Sequence, residues 1–422
     1  MRRKKLCVRV AVALAIFATA ALVEATHASA QETVLYNFDC GTDGCEPTAN
    51  LIFDATGNLY GTSPYGGDYR NGVVFELSPQ ITGGWGLSVL HSFNLNGGDG
   101  ATVEAGVIFD SAGNLYGTTA NGGAHNGGTV FELSPTADGG WTEKLLHSFG
   151  NGLDGSVPNA GLIVDAAGNL YGTTTSGGVH HLGTAFELIP TGTGSWTEKQ
   201  LHNFSGSTDG AQPWAGLTFD SAGNLYGTAS GGGPYNGGVV FELSPQTGGR
   251  WSGKVLHSFG KVGANGVSET EPYAGVVFDQ AGNLYGTTYY GGIGGGGVVY
   301  ELTRTSSGAW KETTLHNFGQ GSAVKGGYNL FGGVVFDAAG NLYGTTAYGG
   351  STADACGSSG CGVVFQLSPS AGGWSETVLE TFNYTDGGHP FGYVAFDSSG
   401  NIYGTTTAGG SFIFGTVFKI RH

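Results

Sequence analysis

The sequence predicts an all-β chain folded as a seven-bladed β-propeller, each blade a four-stranded antiparallel sheet, closed three-plus-one by the N-terminal strand. Three observations carry that prediction. Gly supplies 82 of the 422 residues, while 39% of the chain is hydrophobic and 12% aromatic. So much Gly opposes helices, at roughly 1 kcal/mol per interior position relative to Ala, and so much apolar material opposes disorder. A hexapeptide, GNLYGT (GNIYGT in the last copy), recurs with its Asn at Asn58, Asn114, Asn169, Asn224, Asn283, Asn341 and Asn401, at spacings of 55 to 60 residues. Units of that length fit four-stranded blades and are too long for single coils of a β-helix. Finally, the last unit stops after three strands, and residues 33–38 (TVLYNF) match the fourth strands of the other units. A closed ring uses that strand; an open array would need two caps.

Residues 1–30 stand outside the repeats. Arg2, Arg3, Lys4, Lys5 and Arg9 precede an apolar run over residues 10–23, and Ala28-Ser29-Ala30 is a pattern that signal peptidase accepts. The run is short for a membrane span, and no later segment is long and apolar enough to be one. The expectation is a signal peptide over 1–30 cleaved after Ala30, and a secreted protein, extracellular or periplasmic. Taking its five basic residues and Glu24 from totals of 16 and 32 leaves 11 Lys+Arg against 31 Asp+Glu, a net charge of −20. Nucleic acid and anionic membrane surfaces need a basic face and are not expected as partners.

Each unit then reads strand by strand. In the first, residues 51–53 are a short apolar strand, and residues 54–57 (DATG) form a turn in which Asp can bond its own backbone and Gly can take positive φ. Residues 58–62 and 73–77 are the second and third strands. Residues 85–93, of mixed polarity, suit a solvent-facing edge. The blades are expected at 48–93, 104–149, 159–204, 214–259, 273–318, 331–382 and 391–420 with 33–38, one propeller domain over 31–422. Four cysteines follow the signal, Cys40 and Cys45 in CGTDGC and Cys356 and Cys361 in CGSSGC. An even count in an exported chain favours disulfides, and two local bridges are the simplest of three connectivities. A zinc site would want CxxC spacing, which is absent.

The recurring GNLYGTT…GG…GTVFELSP unit resembles the GloVer-type tandem repeat of exported bacterial proteins and, more loosely, the NHL-like propellers that share a D-x-x-G-N-x-Y turn. The resemblance covers essentially the whole chain after the signal. It implies an extracellular repeat protein and little about biochemistry. No sorting tail follows the last unit, so anchoring is not expected.

Positions shared by all units read as scaffold; positions where units differ are free to carry function. The turn Asp column, the third-strand Glu column and the fourth-strand column His91, His147, His202, His257 and His316 read as scaffold, since one His per blade on outer strands cannot converge with the others. The face that carries the blade-to-blade and second-to-third-strand loops varies in length, and it is the expected working face. Just before each inner strand stand Thr48, Glu104, Asn159, Trp214, Tyr273, Phe331 and Phe391, with four consecutive aromatics along one side of the channel mouth. Two positions after each Gly-Gly stand Tyr69, His125, His180 and Tyr235, read as a neighbouring ring. Exposed aromatics with Asn, Glu and His suit a ring-stacking ligand, so Trp214, Tyr273, Phe331, Phe391, Glu104, Asn159, Tyr69, His125, His180 and Tyr235 are the expected ligand-binding residues. The four mouth aromatics could instead pack as a plug. The expected function is therefore binding of an extracellular glycan or protein by a monomer, without metal, cofactor or catalytic residue. Alternatives are a carbohydrate- or lactone-active enzyme on the Glu104, His125 and His180 side of the mouth, and a structural surface or matrix protein.

Overall fold

The computed structural model describes residues 31–192, 194–263, 266–320, 325–350 and 355–421. The expected signal peptide lies outside them. Seven four-stranded antiparallel sheets are arranged as blades I to VII, and the described residues contain two three-residue 3-10 turns and no α-helix. Among the described residues no helix is long and apolar enough to cross a membrane. Blade III shows the plan: an inner strand Ile163–Val164, a second strand Leu170–Thr174, a third strand Thr184–Pro190 and an outer strand Trp196–Asn203. The inner strand keeps two ladder residues, fewer than its apolar run suggested, because the channel leaves its other edge unpaired.

Closure is three-plus-one. Gln31–Asn37 pairs antiparallel with Thr416–Arg421 as the outer strand of blade VII, with Gln31 opposite Arg421. Every outer strand carries a bulge at one place, between Val89 and His91 of blade I, opposite Val74 and Phe75, and between Val34 and Tyr36 at the closure. The bulge strengthens the local twist and turns each edge strand towards the next blade.

The core lies between blades. Tyr171, Leu217, Leu225, Val239, Phe241 and Leu243 form one buried cluster that joins blades III and IV. Two side chains of the GNLYGT hexapeptide build this seam. The Tyr171 ring sits edge-on to Phe219 at 5.1 Å and to Trp251 at 6.4 Å, both in blade IV. Thr173 donates its hydroxyl to the Ala215 carbonyl at 2.9 Å. The Gly between them faces Phe186, and a Cβ on Gly172 would stand 2.6 Å from the ring's Cζ. The Asp turn forms as its residue types require: Asp165 Oδ1 accepts the Ala167 and Asn169 amides, and Oδ2 accepts Asn169 Nδ2 and the Tyr171 hydroxyl. Burial pushes this carboxyl up, and the hydrogen bonds outweigh that and hold it below the usual range.

The sequence did not reveal a second tie within each blade. The connection into the blade pairs with its second-to-third-strand loop, as ribbons such as Gly155–Ser156 with Ser176–Gly177 or as single bridges such as Cys45 with Tyr65 and Gly388 with Ala408. The disulfides are the two local ones, Cys40 with Cys45 and Cys356 with Cys361, at Cα separations of 4.5 and 5.3 Å. The first joins the blade-I bridge directly, and the second pins the long loop of blade VI.

Candidate functional site

The residue before each inner strand ends a loop and turns its side chain over the channel mouth. Around one cavity of about 530 Å³ the structure brings together Thr48, Glu104, Asn159, Trp214, Tyr273, Phe331 and Phe391, with Glu46, Pro64, Tyr65 and Thr407 completing the wall. That volume falls within the range of small-molecule sites, roughly 300–1,000 Å³. Blades IV to VII supply an aromatic wall. Trp214 stands edge-on to Tyr273 at 5.9 Å, Tyr273 stacks on Phe331 at 5.4 Å, and Phe331 meets Phe391 at 4.5 Å. Tyr289 backs this wall, 4.4 Å from Phe331. The Tyr273 hydroxyl donates to Glu271 Oε2 at 3.0 Å, which fixes the ring; burial and that carboxylate push its pKa up to about 12. Trp214 remains 42% exposed and Tyr65 45%, so the wall presents ring surface to the cavity.

Blades I to III supply the polar side. The Thr48 hydroxyl lies 3.0 Å from the Glu104 carbonyl and 3.3 Å from its Oε2. Burial raises the Glu104 carboxyl above its ordinary range, opposed by the Thr48 bond and assisted by the Glu46 carboxylate. The same two carboxylates reinforce the effect of burial in raising Tyr65.

Beneath the mouth residues lies Tyr393, which the repeat pattern alone does not mark as part of the site. Two positions after the mouth residue, five blades carry Gly (Gly106, Gly161, Gly216, Gly275 and Gly333), blade I carries Asn50 and blade VII carries Tyr393. Tyr393 reaches over blade VI to blade V, where its hydroxyl accepts the Gly275 amide at 2.8 Å. A Cβ on Gly333 would stand 2.4 Å from its ring. The ring narrows the channel between a 130 Å³ space under the mouth and a 340 Å³ space at the far end. The four mouth aromatics thus flank a cavity, and it is Tyr393 that obstructs the channel below them.

The second expected ring does not join the cup. Tyr69, His125, His180 and Tyr235 are exposed and do not line the cavity. After the Gly-Gly turn the chain folds back over the end of the outer strand: Asp68 donates its amide to Ser92 Oγ, and Val179, Ile293 and Ser411 donate theirs to Asn203, Asn317 and Asn37 Oδ1, at 2.8–2.9 Å. These loop tips lie at the periphery of the face, so an acid–base set of Glu104 with His125 and His180 is not assembled.

The histidine column stays dispersed, and it has local acidic partners that the sequence did not show. His147 and His202 Nε2 each lie 3.0 Å from Asp154 and Asp209 on the connection into the next blade. At His91 a further carboxylate joins: ligand atoms of His91, Asp99 and Glu143 lie within 4.8 Å of one another and could hold a metal ion. Gly253 occupies the position of that third carboxylate beside His202, and the His202–Asp209 pair forms without it. The pair is thus a seam contact in its own right. His316 pairs instead with Glu376 at 3.5 Å, and His257, with Ser268 where His91, His147 and His202 meet Asp, is pushed down to about 4 by burial.

Among solved structures, the chain resembles an ancestral GH74 enzyme with a TM-score of 0.57 at 12% identity, over 90% of this chain and 48% of that one. The chain therefore spans about half the length of that enzyme. It also matches a candidate 6-phosphogluconolactonase from Bacteroides uniformis, with a TM-score of 0.46 at 13% identity over 78% and 83% of the two chains. A protein of unknown function from Dyadobacter fermentans matches with a TM-score of 0.42 at 13% identity over 93% and 100%. At these identities the first likeness speaks to fold alone. No curated protein sequence matches the chain. The Gloeobacter/Verrucomicrobia repeat model matches three times, over residues 18–166, 80–270 and 252–422, and the chain belongs to that repeat family.

Proposed function

We propose that this protein is an exported binding module that recognises a glycan in the cup at the channel mouth. Residues 1–30 act as a cleaved signal, and the two disulfides suit the oxidising compartment it leads to. One observation carries the reading: a continuous aromatic wall, Trp214 to Phe391, faces a polar side of Glu104, Asn159 and Thr48 across one cavity. Sugar rings present apolar C–H faces and hydroxyl edges, and a wall of each kind meets both. The test is a thermal-shift screen of soluble polysaccharides on the mature protein, followed by Trp214→Ala. Because Trp214 is exposed, its loss should change stability by less than about 0.5 kcal/mol and remove most of the ligand-induced shift. A screen without any shift, or a shift that survives Trp214→Ala, contradicts the reading.

A further inference from the structure

The charge on the polar side of the cup narrows the ligand class, an inference that rests on the binding reading above. Among the described residues, Glu46 and Glu104 both line the cavity and no Lys, Arg or His does. Glu104 is half-buried at the cavity wall, and among the described residues Thr48 supplies its side-chain hydrogen bond. No basic residue is among the groups acting on it. A carboxylate partly withdrawn from water is ordinarily paired with a cation or well hydrogen-bonded, and among the described residues no cation lines the cavity beside it. Opposite it, the aromatic wall offers the negative faces of its rings, which attract a cation as the carboxylates do. Electropositive ligand is thus favoured from two directions, and the net charge of −20 expected after signal cleavage deepens the potential.

We propose that the cup selects a glycan bearing free amino groups, a deacetylated amino sugar whose ammonium pairs with Glu104 while its ring stacks on Trp214. Uronic acids and phosphorylated sugars would meet two carboxylates and no cation. A neutral sugar would stack as well but would leave the Glu104 charge uncompensated. A lysine side chain carries an ammonium too, yet has no hydroxyls for Asn159, Thr48 and Thr407, so the sugar uses more of the wall.

The test is isothermal titration of the mature protein at low ionic strength with a glucosamine hexamer, the matching N-acetylglucosamine hexamer and a lysine hexapeptide. The amino-sugar hexamer should bind at least about tenfold more tightly than its acetylated counterpart, the size of one desolvated charged contact. High salt should erode that preference. Glu104→Gln, which keeps shape and removes charge, should bring the two sugars to within about twofold, and Trp214→Ala should weaken both. Equal affinity of the two sugars in the wild type, a preference that survives Glu104→Gln, or tighter binding of the lysine peptide overturns the amino-sugar proposal and leaves the cup as a binding site. Binding of neither sugar, or binding indifferent to Trp214→Ala, overturns the cup reading itself.

Discussion

The seams between blades and the cup at the channel mouth are built by the same repeat under opposite rules. At the seams the seven units keep one plan with few departures. Seven Thr hydroxyls, from Thr62 to Thr405, each reach a carbonyl of the next blade at 2.9–3.1 Å, the last of them donating across the closure to Ala49. Six Tyr rings meet a Phe of the next blade at 4.9–5.1 Å; Val164 stands in place of that Phe at the remaining seam. At the mouth, the equivalent position holds Thr, Glu, Asn, Trp, Tyr, Phe and Phe. Repetition makes a ring that closes on itself, and departure from repetition gives one side of the mouth a chemistry different from the other.

If seam and cup are separable, a change at one should leave the other intact. The largest effect is expected from Phe186→Ala, which empties a fully buried site between Phe149 and Gly172. It should cost about 3–5 kcal/mol in denaturant unfolding, with ligand affinity unchanged in the folded protein. A parallel loss of affinity would show that the cup depends on that seam.

A smaller effect is expected at the seam between blades VI and VII, where the repeat itself departs from rule. Glu380 takes the place of the column His, and Glu32, near Glu380 and Asp386, is pushed by burial and then by those carboxylates from an ordinary 4.5 up to about 8. The folded chain therefore holds a proton that the unfolded chain releases. Its stabilising contribution is complete below the ordinary value and is lost as pH rises to about 8. Unfolding midpoints across that window should fall with rising pH, and Glu32→Gln should flatten the slope by on the order of 1–2 kcal/mol, allowing for partial exposure. An unchanged slope would place the proton elsewhere, for instance on Glu143 or Glu198, which burial also raises, to about 7.

How far the sequence could be read follows the same division. The blade count, the closure and the Asp turn were legible because each depends on residues near in sequence and repeated seven times. The seven residues of the mouth were legible by alignment of the units, since equivalent positions in a closed ring surround one axis. Glu46, Pro64 and Thr407 were not, because they reach the cup through the pairing of the connection into a blade with its second-to-third-strand loop. The loop tips at Tyr69 and His180 lie off the axis for a related reason: the amides of Asp68 and Val179 bond to the outer strand and draw those tips away from the mouth. Tyr393 did leave a signal, a single aromatic in a column that is otherwise Gly or Asn, two residues beyond the mouth column.

Fluorescence offers the most direct test of the claim that function resides where the blades differ. Six of the seven Trp residues (Trp85, Trp141, Trp196, Trp251, Trp310 and Trp374) occupy the same outer-strand position, and Trp214 alone stands in the cup. Titrating the amino-sugar hexamer into the mature protein should change the emission spectrum, and the same titration of Trp214→Phe should leave the emission of the six seam residues flat. An emission change that persists in Trp214→Phe would place the ligand against the repeated surface and contradict the account.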